Sequence, residues 1–204
     1  TDNSTTPSTA GTSAIQVDSR INILQNQAGT TGDDTITGAT GAVNEFISAG
    51  AGDDSINAGD GDDVLRGGAG NDTLTGGNGT DTADYGDAPS GVVANLGSGN
   101  VNATLDGNDV TVAGGQAQGD GTDTLTGIEN VSGSRGNDML VGSTADNRLA
   151  GGDGTDTVDG GDGNDTLIGG SGGDSLSGGA GTDVVDGGVG DDTMDGGAGA
   201  DTLM

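Results

Sequence analysis

The chain has 204 residues, of which 47 are glycine, and its 33 acidic side chains face four basic ones for a formal charge of −29, with no histidine, cysteine or tryptophan. That inventory excludes zinc sites built on His or Cys, disulfides, thiol nucleophiles, imidazole bases and aromatic platforms for single-stranded nucleic acid. The charge opposes any phosphate backbone or anionic membrane surface, so nucleic acid is not expected as a partner.

Residues 1–28 come first. Their start, through residue 14, is rich in Ser and Thr, contains Pro7 and reads as a linker. Ile15, Val17, Ile21 and Ile23 then alternate, which predicts a strand or two covering whatever follows. The chain holds no run of about 18 apolar residues and no charged start before an apolar stretch, so neither a membrane span nor a signal peptide is predicted.

Residues 29–84 and 118–204 are repetitive, with a period of nine. Gly151-Gly152-Asp153-Gly154-Thr155-Asp156-Thr157-Val158-Asp159 is a typical unit, and the pattern is Gly-Gly-x-Gly-x-Asp-x-U-x with U aliphatic. Glycines crowded into four positions suit a tight turn between stacked coils. The last three residues suit a strand whose middle side chain points inward. The inward positions are Ile36, Ile56, Leu65, Leu74, Ala83, Leu125, Leu140, Leu149, Val158, Leu167, Leu176, Val185, Met194 and Leu203. One aliphatic side chain per nine residues is a thin core for a chain so crowded with carboxylates. Composition alone would describe a disordered chain, so the repeat implies that something positively charged completes the fold.

Residues 85–117 lack the repeat. Val92–Leu96, Val101–Leu105 and Asp109–Val112 are predicted as short strands joined by turns at 98–100 and 106–108. Gly127-Ile128-Glu129-Asn130-Val131 breaks the phase again before the second array settles. Two rolls joined by a small β segment, or one rod carrying a side hairpin, both accommodate this order.

The sixth position carries the chemistry. It is occupied by Asp34, Asp54, Asp63, Asp72, Asp81, Asp123, Asp138, Asn147, Asp156, Asp165, Asp174, Asp183, Asp192 and Asp201. One Gly-x-Asp is only a turn former. Carboxylates at a constant phase, set behind turns whose carbonyls can point inward, form the all-oxygen shell of a hard cation. Ca²⁺ accepts six to eight such ligands in flexible geometry, where Mg²⁺ demands a stricter octahedron.

These units resemble the RTX (repeats-in-toxin) nonapeptide of the haemolysin-type calcium-binding β-roll family. The resemblance implies an all-β fold, a right-handed parallel β-roll or β-solenoid in two blocks of repeats joined by the non-repeat β segment. It also implies one ion between same-side turns of units n and n+2, held by their sixth-position residues and turn carbonyls. The pairs implied are Asp34 with Asp54, Asp54 with Asp72, Asp63 with Asp81, Asp138 with Asp156, Asn147 with Asp165, Asp156 with Asp174, Asp165 with Asp183, Asp174 with Asp192, and Asp183 with Asp201. That is about nine Ca²⁺, with the Asn147 site weakened by its amide.

Folding and metal binding would then be one event. Extracellular calcium modules bind at about 10⁻⁴ to 10⁻³ M, so the chain is expected to fold after secretion, as a stalk, surface-layer, adhesin or matrix component. The alternative is the calcium-binding C-terminal part of a secreted enzyme or toxin whose active domain lies elsewhere. Catalysis within the chain, as a calcium-assisted polysaccharide-active enzyme, would have to run on carboxylates and Arg20, Arg66, Arg135 and Arg148, and those arginines read more simply as partners of local Asp. Ice or mineral binding would need a regular Thr row at positions seven and nine, which are mixed here. Met204 completes the last unit, and an uncovered coil there would be a sticky edge, which makes a second copy the expected protein partner.

Overall fold

The computed structural model describes residues 14–15, 25–105, 107–119 and 121–204. Val17, Arg20, Ile21, Ile23 and the linker ahead of Ala14 lie outside the described residues. The strand Ala14–Ile15 pairs in parallel with Thr35–Thr37, placing Ile15 opposite Ile36.

Every regular element among the described residues is a β-strand. Two sheets, one of twelve strands and one of nine, are built from coils stacked into a solenoid of about ten turns. Each coil is two repeat units and gives one strand to each sheet. In the first sheet, Thr157–Asp162 lies parallel to Ser175–Gly181 with Val158 opposite Leu176. In the second, Thr166–Ser171 lies parallel to Val184–Val189 with Leu167 opposite Val185.

The strands are longer than the three residues per unit that the pattern suggests. They run on into the next unit, as the register of Gly170 with Gly188 and Ser171 with Val189 shows. Glycine makes this possible: Gly170 stands at φ +118°, and a Cβ built on it would strike the Gly152 carbonyl of the coil below. Bare backbone therefore stacks on bare backbone, and the turn proper shrinks to the few residues ahead of the Asp.

Between the sheets lies a single apolar column. Ile36, Ile56, Leu65, Leu74, Leu140, Leu149, Leu167 and Val185 are wholly inaccessible there, joined by Ile47 and Tyr85. Of the predicted inward positions only the last two depart, Met194 being half-buried and Leu203 45% exposed.

The two repeat blocks stack directly on one another. In the second sheet Asn130–Ser132 pairs with Thr82–Asp84 on one side and Arg148–Asp153 on the other, with Val131 between Ala83 and Leu149. The first sheet takes a detour. Thr122–Thr126 continues in parallel from Thr73–Asn78, and then two strands are inserted: Gln116–Gln118, antiparallel to the strands on both its sides, and Val93–Asn95, which is parallel to Met139–Val141, where the regular stack resumes. Gln116–Gln118 is a strand the sequence pattern does not announce. Beside this detour Val101–Leu105 and Asn108–Val112 form the expected hairpin, closed through Gly107 at φ +78°. Leu105, Val112 and Val93 give it a small core of its own.

Candidate metal centre

Stacking at constant phase brings the sixth-position residues into columns, one along each edge of the solenoid. Asp34, Asp54, Asp63, Asp72, Asp81, Asp123, Asp138, Asn147, Asp156, Asp165, Asp174 and Asp183 are buried, while Asp192 and Asp201 are half-buried. All nine pairs implied by the repeat stand in register, joined by one recurring contact: the backbone N–H of the earlier residue donates to Oδ1 of the later one. The distance is 2.7 Å from Asp34 to Asp54, 2.9 Å from Asp54 to Asp72 and from Asp63 to Asp81, and 2.8 Å from Asn147 to Asp165. The same bond joins Asp138 to Asp156, Asp156 to Asp174, Asp165 to Asp183, Asp174 to Asp192 and Asp183 to Asp201.

Three rungs were not foreseen. Asp72 donates to Asp123 at 2.9 Å across 51 residues of chain, Asp81 donates to Oε2 of Glu129, and Glu45 donates to Asp63. Glu45 and Glu129 are the only glutamates in the chain, and both stand where the nine-residue phase is broken. There the longer side chain reaches a position that Asp occupies elsewhere, and their rarity was the available signal.

The second oxygen of these carboxylates is the decisive atom. Oδ2 of Asp54, Asp63, Asp72, Asp81, Asp156, Asp165, Asp174 and Asp183 is buried and accepts no hydrogen bond. Burial of a carboxylate oxygen without a partner is costly, and the carboxyls respond. Desolvation, against the backbone N–H bond that lowers it, raises Asp54, Asp72, Asp81 and Asp165 from 3.8 to about 6 and Asp156 to about 7. Neighbouring carboxylates push in the same direction.

Carbonyls converge on the same places. A Cβ built on Gly178 would lie 2.5 Å from Asp183 Oδ2 and 2.6 Å from the Gly196 carbonyl oxygen, and one on Gly169 would lie 2.5 Å from both Asp174 Oδ2 and the Gly187 carbonyl oxygen. The first glycine of a unit is thus bare because a carboxylate and a carbonyl of the next coil fill the space a side chain would need. Among the described residues no three acidic side chains gather into one metal cluster. A cation held here would take its ligands mainly from backbone oxygen with few carboxylates, which suits a hard, flexible ion.

The exposed fifth positions behave differently. Asp53 Oδ1 accepts the N–H of Asn71, Asn137 that of Thr155, and Asn164 that of Thr182. This outer column runs in the reverse sense to the inner one and is satisfied by protein alone.

The profile of the RTX calcium-binding nonapeptide repeat, four copies long, matches residues 28–42, 40–74, 58–87, 132–167 and 168–203. The chain belongs to the RTX calcium-binding repeat family. A comparison with curated proteins gives no match. As an RTX chain it is a calcium-binding β-roll, and the buried oxygens described above fit that ion.

Proposed function

We propose that this RTX chain is an extracellular structural module whose β-roll is completed by calcium bound between successive turns, with the sixth-position aspartates and turn carbonyls as ligands. The observation that carries this reading is the set of buried, unpartnered Asp oxygens in a chain of net charge −29. Without a cation they oppose folding, and with one they bind it. Calcium on the order of 10⁻⁴ to 10⁻³ M is the range of extracellular modules, which supports folding after export as a stalk, adhesin, matrix or surface-layer element, or as the calcium-binding part of a secreted enzyme or toxin.

The chain itself offers no catalytic constellation among the described residues. Arg66, which lines a concavity of about 300 Å³, is held by Asp84 and Asp87 and lies 5.3 Å above the Phe46 ring.

Titration of the metal-free chain with calcium, followed by far-ultraviolet circular dichroism and light scattering together, tests the proposal. A cooperative gain of β structure at constant mass is expected. Growth in mass with the transition would assign the module to self-assembly, and the absence of any transition would sink the calcium reading.

A further inference from the structure

The turns of the two repeat blocks are of two kinds, and the difference lies at the second position of the unit. In ten turns that position is a glycine with φ between +85° and +123°. No N–H of these turns reaches the Asp of its own unit, and the eight orphaned Oδ2 atoms all belong to this group. In the turns at Asp34, Glu45, Asp138 and Asn147 the second position is not glycine, and the turn closes on its own acidic or amide side chain; the turn at Asp123 belongs to neither kind, its second position being Gly119 and its carboxylate accepting the Tyr85 hydroxyl.

Thr30 donates to Asp34 Oδ2 through its N–H at 2.6 Å and its hydroxyl at 2.9 Å. Ala39 N–H donates to Glu45 Oε2 at 2.8 Å, and Gln27 Nε2 donates to Oε1 at 2.9 Å. Ser134 N–H donates to Asp138 Oδ2 at 2.6 Å, and its hydroxyl to Oδ1 at 2.8 Å. Ser143 N–H donates to Asn147 Oδ1 at 2.7 Å, while Asn147 Nδ2 donates to the Glu129 carbonyl.

A carboxylate already engaged by two or more protein donors, as at Asp34, Glu45 and Asp138, where Val92 N–H adds a third, or an amide that presents its own N–H groups, offers a cation little. We propose that the four turns at Asp34, Glu45, Asp138 and Asn147 are closed by protein donors and take no calcium, so that the chain holds eight ions, one at each orphaned oxygen. This rests on the calcium reading above and changes its tally. The pairs Asp34 with Asp54, Asp138 with Asp156 and Asn147 with Asp165 become metal-free joints. Asp72 with Asp123 and Asp81 with Glu129, absent from the repeat-based pairing, become binding cradles. The Gly127 carbonyl supports the second of these, since a Cβ on Gly76 would strike both it and Asp81 Oδ2.

The test counts bound calcium on the full chain by equilibrium dialysis and elemental analysis at saturating calcium, with circular dichroism confirming the fold of each variant. The parent, Asp138→Asn and Asn147→Asp are expected to hold eight ions. Asp156→Asn should hold seven, and Ser134→Gly, which removes the hydroxyl from Asp138 Oδ1 and permits the left-handed turn that takes the backbone N–H away from Oδ2, should hold nine. Loss of an ion in Asp138→Asn, gain of one in Asn147→Asp, or twelve ions in the parent would overturn the inference while leaving the calcium reading intact. A parent that binds none would overturn both.

Discussion

The hydroxyl of Tyr85 donates to Oδ2 of Asp123 at 3.0 Å, both residues buried. In the preceding coils, at Asp54 and Asp72, the equivalent oxygen accepts nothing from the protein. A phenol thus stands at the block junction where the repeats rely on an ion, and burial beside Asp123 pushes its own titration well above the ordinary range.

Tyr85→Phe removes that donor and keeps the ring. A buried hydrogen bond to a charged group contributes about 1.5–3 kcal/mol, and a loss of this order is expected in urea unfolding at saturating calcium. An unchanged midpoint would show that the hydroxyl does not stabilise the junction.

Acid should act with opposite sign on the two states of the chain. Asp54, Asp72, Asp81 and Asp165 titrate at about 6 and Asp156 at about 7 in the metal-free fold, all raised above 3.8 by burial first of all. The folded chain then holds protons more tightly than the unfolded one. Its penalty is complete above about pH 7, is relieved as pH falls through these values, and is gone below about pH 4. The metal-free chain therefore gains β structure on acidification from pH 7 towards pH 4. The calcium-loaded chain loses stability over the same span, because protons compete with the ion. Circular dichroism against pH with and without calcium reads both slopes, and parallel slopes would refute the coupling.

Leu167 is wholly inaccessible in the middle of the column. Leu167→Ala should cost about 2–5 kcal/mol. Because each coil touches only its neighbours, hydrogen exchange should rise first in the coils flanking residue 167. Uniform loss of protection along the chain would instead indicate a single cooperative unit.

Adjacent glycines in one turn should respond differently. Gly172 lies at φ +148°, and a Cβ there would strike the Gly154 carbonyl; the nearest atom to a Cβ on exposed Gly173 is the Asp191 carbonyl oxygen at 3.5 Å. Gly172→Ala is expected to destabilise by more than about 1–3 kcal/mol. Gly173→Ala should be neutral or stabilising by up to about 1 kcal/mol, through the unfolded chain. Equal effects in thermal unfolding would contradict this account of the turn.

The columns were legible in the sequence because a strict period of nine maps each position onto one place in space. Leu74, Leu125 and Asp72 could be located without coordinates for that reason. Legibility failed where the period failed. Glu45 and Glu129 replace Asp in segments of altered length, and Gln116–Gln118 enters the first sheet through long-range pairing that no local pattern encodes. The closed turns were missed for another reason. Ser134 and Ser143 look like small substitutions for glycine, and only the hydrogen bonds to Asp138 and Asn147 show that they change what the turn can hold.

The detour at residues 93–118 has a mechanical side. Between Thr122–Thr126 and Met139–Val141 the first sheet contains two strands that have no counterpart between Asn130–Ser132 and Arg148–Asp153 in the second. At about 4.8 Å per strand this lengthens one face by about 10 Å. A pull along the axis therefore meets two different joints: an unbroken parallel ladder in the second sheet, and in the first a ladder that reverses direction at Gln116–Gln118.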